Sequence, residues 1–319
     1  MSLPLPHPTS TRYVQAFERA RDGRASTWCI DAPAQITKDL RRLEDWAKQI
    51  EDPVAELESG CVDLPRLVAM GQQVAEQIDR GPGFAWVRGL PETPREVISL
   101  AFLAIGLELG ETVDVYGRLY DVLDQGESYR DKAIPVSQTR ESTGMHTDSS
   151  NRAVWPRVVA LVCLQPSSNG GGSRLASAVR AHEALRDQSP ELLEALYGEF
   201  FRDVVTPGSE KDAEAVRRNA FPIFRDRQGV CLRYMRYWIE KGHERVGVPL
   251  TAVQRAGLDT LDAALEDPEN QICFEMTSGD MFFLDNTKLV HDRSAYVDEG
   301  GPQRHLQRMW IDRPTPAQT

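Results

Sequence analysis

The chain of 319 residues carries 37 Lys plus Arg against 48 Asp plus Glu, a formal charge of −11, with 41% hydrophobic and 8% aromatic residues. This is an ordinary globular balance, long enough for one large domain or two smaller ones, and its acidity argues against nucleic acid or an anionic membrane as partner. No apolar run approaches the ~20 residues that span a bilayer and the N-terminus lacks a signal-peptide layout, so a cytoplasmic location is expected.

The first dozen residues, rich in Pro, Ser and Thr, read as a loose tail. Helix-like spacing follows over Arg12–Arg21, Gln35–Ile50 and Leu64–Ile78, making residues 1–80 a tail and helical extension. After Gly81-Pro82-Gly83, the apolar run Phe84–Val87 predicts a strand, and Thr93-Pro94-Arg95-Glu96 predicts a capping box with Pro at the first helical position. From Val113 onward short strand-like pieces dominate: Val113–Tyr116, Val158–Leu164, Ser173–Ala178, Phe200–Val205, Phe221–Phe224, Val230–Met235, Ile272–Met276, Met281–Leu284 and His305–Ile311. Turn residues separate them, which favours a sandwich or barrel over a doubly wound sheet. Two helical segments, Pro190–Tyr197 behind Ser189 and Thr251–Leu265, are placed to cover an outer face. The expected architecture is mainly β with flanking helices (α+β), one structural domain overall, with its core in residues 81–319. Five cysteines, odd in number, widely spaced and without a CxxC, read as buried thiols in a reducing compartment.

Six histidines are few enough to take singly. In Thr143-Gly144-Met145-His146-Thr147-Asp148, residues i and i+2 of an extended segment point to one side, so an imidazole and a carboxylate converge. His291 ends a turn, an apolar strand and a polar loop that begin at Gly279. Arg304 and Arg308 share a face of a strand-like stretch by its period of two. Two neutral imidazoles and a carboxylate fill three facial positions on divalent iron and leave three open. A 2-oxo acid chelates through two of these, the last admits dioxygen, and Arg304 offers the far carboxylate a planar two-bond fork. His182 and His243 read as packing or surface residues, His7 as part of the tail, and His305 as facing away from Arg304. The run Arg233-Tyr234-Met235-Arg236-Tyr237-Trp238 fits equally a substrate-pocket lining and a packed strand with Arg on aromatic rings. Gly170-Gly171-Gly172 lacks phosphate-loop spacing and reads as a tight turn or a close approach to the metal site.

His146-Thr147-Asp148, a distal His291 after an Asp-Asn loop and an Arg-x-x-x-Arg strand together resemble the taurine-dioxygenase-like family of the clavaminate-synthase-like superfamily, iron(II)- and 2-oxoglutarate-dependent oxygenases, from about Gly83 to Ile311. The resemblance implies a double-stranded β-helix, a distorted jelly roll with helices outside. It further implies Fe(II) on His146, Asp148 and His291, and 2-oxoglutarate on Arg304. Ser173 matches a position where relatives often have Thr touching that cosubstrate, and Arg308 one that often holds a substrate carboxylate or sulfonate. Many clavaminate-synthase-like members carry Glu where Asp148 stands, and related halogenases a small residue, so Asp148 points to hydroxylation or desaturation. The expected reaction hydroxylates a small carboxylate-bearing metabolite, anionic or zwitterionic, with an amino acid or amino-acid derivative leading. Two rivals keep the same residues: a non-catalytic jelly-roll ligand-binding protein, and a zinc hydrolase whose metal activates water.

Overall fold

In the computed structural model, which describes residues 8–23, 28–58, 60, 62–130, 134–149, 155–203, 212–226 and 229–313, helices precede and cover a pair of sheets. The chain runs α1 (Pro8–Arg21), β1 (Cys29–Asp31), α2 (Thr37–Ala47), α3 (Pro53–Leu57), α4 (Pro65–Arg80), β2 (Phe84–Arg88), α5 (Arg95–Leu107), β3 (Glu111–Thr112) and β4 (Tyr120–Val122). Next come β5 (Val158–Gln165), β6 (Asn169–Gly170), β7 (Ser173–Ser177), α6 (Ala178–Gln188), α7 (Pro190–Leu196), α8 (Ala213–Arg218), β8 (Phe224–Asp226) and β9 (Val230–Leu232). The remainder is α9 (Arg236–Val246), α10 (Ala252–Glu266), β10 (Gln271–Phe274), β11 (Met281–Asp285), β12 (Leu289–Arg293), β13 (Tyr296–Val297) and β14 (His305–Asp312). Side chains set several helix starts: Ser177 accepts from Arg180 N at α6, and Thr251 with Gln254 closes a full capping box at α10.

The two sheets form a jelly roll. The larger runs β1-β2-β11-β5-β14-β3, with β4 also on β14, and the smaller runs β10-β7-β12. Bridges from His146 to His291 and to Met235 extend the smaller sheet. Strand alternation divides the larger sheet into two buried faces. Ala85, Val87, Val158, Ala160, Val162, Met281, Phe283, Met309 and Ile311 pack outward against α2, α4 and α5. Phe84, Val159, Phe282, Leu284 and Trp310 point inward, where they meet Leu175 and Leu289 of the smaller sheet. A strand buried on both faces needs no polar alternation, which is why β5 reads VVALVCLQ.

Several boundaries differ from the expectations. Val113–Tyr116 is no strand, because the chain turns at Asp114–Tyr116 and Gly117 takes φ 90°. Val230–Met235 stops at Leu232, and Arg236 opens α9. The expected capping box at Thr93 does not form: Thr93 Oγ1 donates to Pro91 O, and Pro94 itself precedes the helix. Around Phe200 the pairing among described residues is one bridge to Phe221, residues 204–205 lying outside them. Leu289–His291, read as the end of a polar loop, belong to the strand Leu289–Arg293 paired with β7. Cys163 and Cys231 are buried thiols, but Cys29 is half-buried and Cys273 exposed; Cys61 lies outside the described residues.

Candidate active site

The site lies between the two sheets, on inward-facing strand positions. His146 and His291 exchange both backbone hydrogen bonds, at 3.0 and 2.9 Å, as a closely paired antiparallel couple. That pairing sets their side chains together, with ring centroids 4.3 Å apart. Gly144 turns the chain at φ 66°, and its carbonyl accepts from His146 Nδ1 at 2.8 Å, which leaves Nε2 as the lone-pair nitrogen. The peptide of Asp148 is held at both ends by one side chain: Asp148 N donates to Asn286 Oδ1, and Asn286 Nδ2 donates to Asp148 O, each at 2.8 Å. Asn286 sits at the turn that carries the chain from β11 in the larger sheet to β12 in the smaller one, so the connection that delivers His291 also fixes Asp148.

Asp148 uses its two oxygens differently. Oδ2 accepts from Arg308 Nη1 at 3.0 Å and from Trp310 Nε1 at 2.8 Å. Oδ1 faces His146 Nε2 at 3.5 Å and His291 Nε2 at 3.8 Å. One ligand atom from each of the three residues lies within 4.8 Å of the others. This two-nitrogen, one-oxygen set fits the facial triad of non-haem iron, and the donors on Oδ2 leave Oδ1 for a metal. Burial opposes ionisation of Asp148, but Arg308, His146 and His291 hold its carboxyl well below the usual carboxylate range. Burial, with His146 beside it, pushes His291 down to about 3, so the ring is neutral and competent as a ligand at neutral pH.

The surrounding pocket has an empty volume of about 1020 Å³, including its open mouth, and is lined by five arginines against two aspartates. Arg174 is saturated by Asp292 and Glu266. Arg202 is buried and donates to Ser149 O at 2.9 Å, and burial pushes its guanidinium down to about 10. Arg293 and Arg304 lie over the ring of Tyr296, at 4.9 and 5.1 Å from its centroid. Arg304 Nη1 is buried without a hydrogen-bond partner, and burial lowers the pKa of its guanidinium. An orphaned buried donor is the vacancy that an incoming carboxylate fills, so Arg304 fits the anchor of a 2-oxo acid.

The sequence-predicted residues divide clearly. His146, Asp148, His291, Ser173, Arg304 and Arg308 all line the pocket. Arg308 donates to Asp148 Oδ2 and its guanidinium lies over the rings of Trp310, Tyr120 and Tyr116. Arg236 is outside the pocket, bound by Glu240, Asp259 and Asp262 on the outer face of α9 and α10, because the chain is already helical there. Arg233 is buried behind the lining, stacked 4.3 Å from the Phe221 ring and donating to Ser149 Oγ at 3.0 Å. His182 hydrogen-bonds with Tyr197, His243 with the backbone of Phe201 and Val248, and His305 with Asp121, all away from the triad. His7 lies outside the described residues. Sequence reasoning missed Trp310, Asn286, Arg202 and Arg293. The period of two through Arg304, Leu306 and Arg308 does extend to Trp310, and was a usable signal.

The family model described as "Taurine catabolism dioxygenase TauD, TfdA family" matches residues 49–310. FR-33289 synthase of Streptomyces rubellomurinus is 30% identical over 97% of this chain and 91% of its own length. Human gamma-butyrobetaine dioxygenase is 24% identical over 72% of this chain and 57% of its own. Among solved structures, asparagine oxygenase superposes with TM-score 0.66 at 18% identity, covering 90% of this chain and 93% of that one. Non-heme iron oxygenase OrfP in complex with Fe and alpha-ketoglutaric acid gives 0.64 at 15%, covering 90% and 94%.

Proposed function

Because the chain belongs to the TauD/TfdA family, and so is a 2-oxoglutarate-dependent non-haem iron dioxygenase, we propose that it hydroxylates a small anionic or zwitterionic metabolite, an amino acid or amino-acid derivative first among them. The observation that carries the reading is the divided carboxylate of Asp148, with Oδ2 tied down and Oδ1 turned to two imidazoles, beside a buried guanidinium that lacks a partner. In this proposal His146 Nε2, His291 Nε2 and Asp148 Oδ1 hold iron, and Arg304 with Ser173 holds the cosubstrate. When bound, iron and 2-oxoglutarate supply the oxidising chemistry, in which dioxygen and the oxo acid give succinate and carbon dioxide while a substrate C–H becomes C–OH. Arg308 and Trp310 fix the carboxylate, and Arg233 braces Ser149 at the wall of the pocket.

An anionic group on the substrate is supported by the charge of the lining, five arginines against two aspartates. Relatives whose names refer to asparagine and gamma-butyrobetaine support a small amino-acid-like substrate. The cytoplasmic setting belongs to the same proposal and is supported by the free thiols of Cys29, Cys163 and Cys273. So does the single-domain reading of residues 1–80 and 81–319, whose helices and strands share one apolar cluster. Succinate release should be measured with Fe(II) and 2-oxoglutarate under air across free amino acids and their derivatives. A substrate should raise it severalfold and yield a product heavier by one oxygen. Substrate hydrolysis without oxygen uptake would instead favour the zinc hydrolase.

A further inference from the structure

We propose that Arg293 is a second cation of the cosubstrate site, so that the distal carboxylate of 2-oxoglutarate is held between Arg293 and Arg304; this rests on the reading of the site given above. The register of the smaller sheet supports it. On β12 and β7, Arg293 stands opposite Ser173 and His291 opposite Leu175. Opposed residues of an antiparallel pair share a face, with Cβ atoms about 4.5–5.5 Å apart. Arg293, Ser173 and His291 therefore look into the same pocket, and all three line it. Two residues of extended strand separate the metal-facing histidine from Arg293, about 6.6 Å of rise, a span comparable to the length of a five-carbon acid.

The state of the two guanidinium groups is the second support. Arg293 and Arg304 are 8% and 5% exposed, and both rest on the Tyr296 ring. Arg293 donates through Nη2 to the carbonyl of Glu141, while its Nε is buried without a hydrogen-bond partner, as is Arg304 Nη1. Among the described residues neither guanidinium is paired with a carboxylate. Two like charges brought out of water on one aromatic ring are costly until an anion joins them. A tyrosine face lessens that cost without neutralising either charge. A carboxylate has lone pairs enough to accept a two-bond fork from one guanidinium and a further N–H from the other.

The test uses Arg293→Gln, which keeps an N–H for the Glu141 carbonyl and removes the charge, with Arg293→Lys as a charge-retaining control. Mn(II)-loaded protein is titrated anaerobically with 2-oxoglutarate and with 2-oxopentanoate, which carries a methyl group in place of the distal carboxylate. Arg293→Gln should weaken 2-oxoglutarate binding roughly ten- to hundredfold, as expected on losing a charge-assisted contact. Mn(II) affinity and 2-oxopentanoate binding should stay at wild-type values, and Arg293→Lys should recover part of the loss. Unchanged 2-oxoglutarate affinity overturns the proposal. An equal fall for both acids, or for Mn(II), also overturns it and makes Arg293 a residue that holds β12 to Glu141. Wild-type protein that binds no 2-oxoglutarate would overturn the underlying reading instead.

Discussion

Replacing Trp310 with Phe isolates one hydrogen bond of the metal centre. The indole N–H donates to Asp148 Oδ2 at 2.8 Å, while the ring meets Tyr116 edge-on at 5.2 Å and lies 4.8 Å from the Arg308 guanidinium. A phenyl ring keeps most of that contact and loses the donor. A hydrogen bond to a charged group contributes about 1.5–3 kcal/mol, and losing a group that orients a metal ligand weakens metal binding ~10–100-fold. The two ranges agree, since a factor of ten is about 1.4 kcal/mol. Arg308 Nη1 still holds the same oxygen at 3.0 Å in the variant, so Asp148 is loosened and not released. The expected loss is therefore near the lower bound, roughly tenfold. Calorimetric titration of Mn(II) into metal-free wild type, Trp310→Phe and Arg308→Ala measures it. Arg308→Ala should lose more affinity, and about 3–5 kcal/mol of stability, because it strands a buried carboxylate. Wild-type Mn(II) affinity in Trp310→Phe would refute the reasoning and leave the indole as packing alone.

Arg304→Lys should raise the 2-oxoglutarate requirement by about one to two decades, as a two-bond contact becomes a single one, while leaving Mn(II) affinity unchanged; an unaltered requirement would move the anchor to Arg293. His182 is pushed down to about 4, first by burial and then by Arg186. Its stabilising effect is complete above the ordinary value of 6.5 and is lost as pH falls toward 4, because only the unfolded chain takes up the proton in that window. The loss is about 3 kcal/mol, and His182→Gln, which can still bond Tyr197, should flatten the stability profile between those pH values in chemical denaturation; a profile matching wild type would count against the assignment. Gly242→Ala should lower the unfolding midpoint and weaken substrate binding together, because a Cβ there would lie 2.6 Å from the Phe201 backbone and 2.7 Å from Arg202 Cα. Loss of stability with unchanged substrate binding would show that Arg202 is not displaced.

The metal ligands were legible because their placement depends on short-range rules: an i, i+2 pair in extended backbone, and a histidine after an apolar strand. The shared face of Arg304 and Arg308 was legible for the same reason, whereas β5 and β11, buried on both faces, carry no alternation to read. Long-range register was not. Trp310 meets Asp148 across 162 positions of sequence, and no local pattern encodes that meeting. Asn286 looks like any turn residue until the link between the two sheets brings it against Asp148. Arg236 misled because an aromatic and cationic run suits a strand and a helix equally, and α9 begins at that residue. Leu289-Val290 was too short an apolar stretch to distinguish a strand from the end of a loop.

How the pocket keeps its charge explains how an acidic chain can favour an acidic ligand. Away from the pocket, Arg236 is bound by three acids and Arg245 by both oxygens of Asp203. Arg293 and Arg304 rest on an aromatic face, which stabilises a desolvated cation and leaves its charge available. On the proposed reading, the two guanidinium groups without a carboxylate partner among the described residues favour an anion in the pocket. The surface beyond it, in a chain of net charge −11, repels long polyanions. Small anions that fit inside the mouth feel the first field, and extended ones such as nucleic acids meet the second.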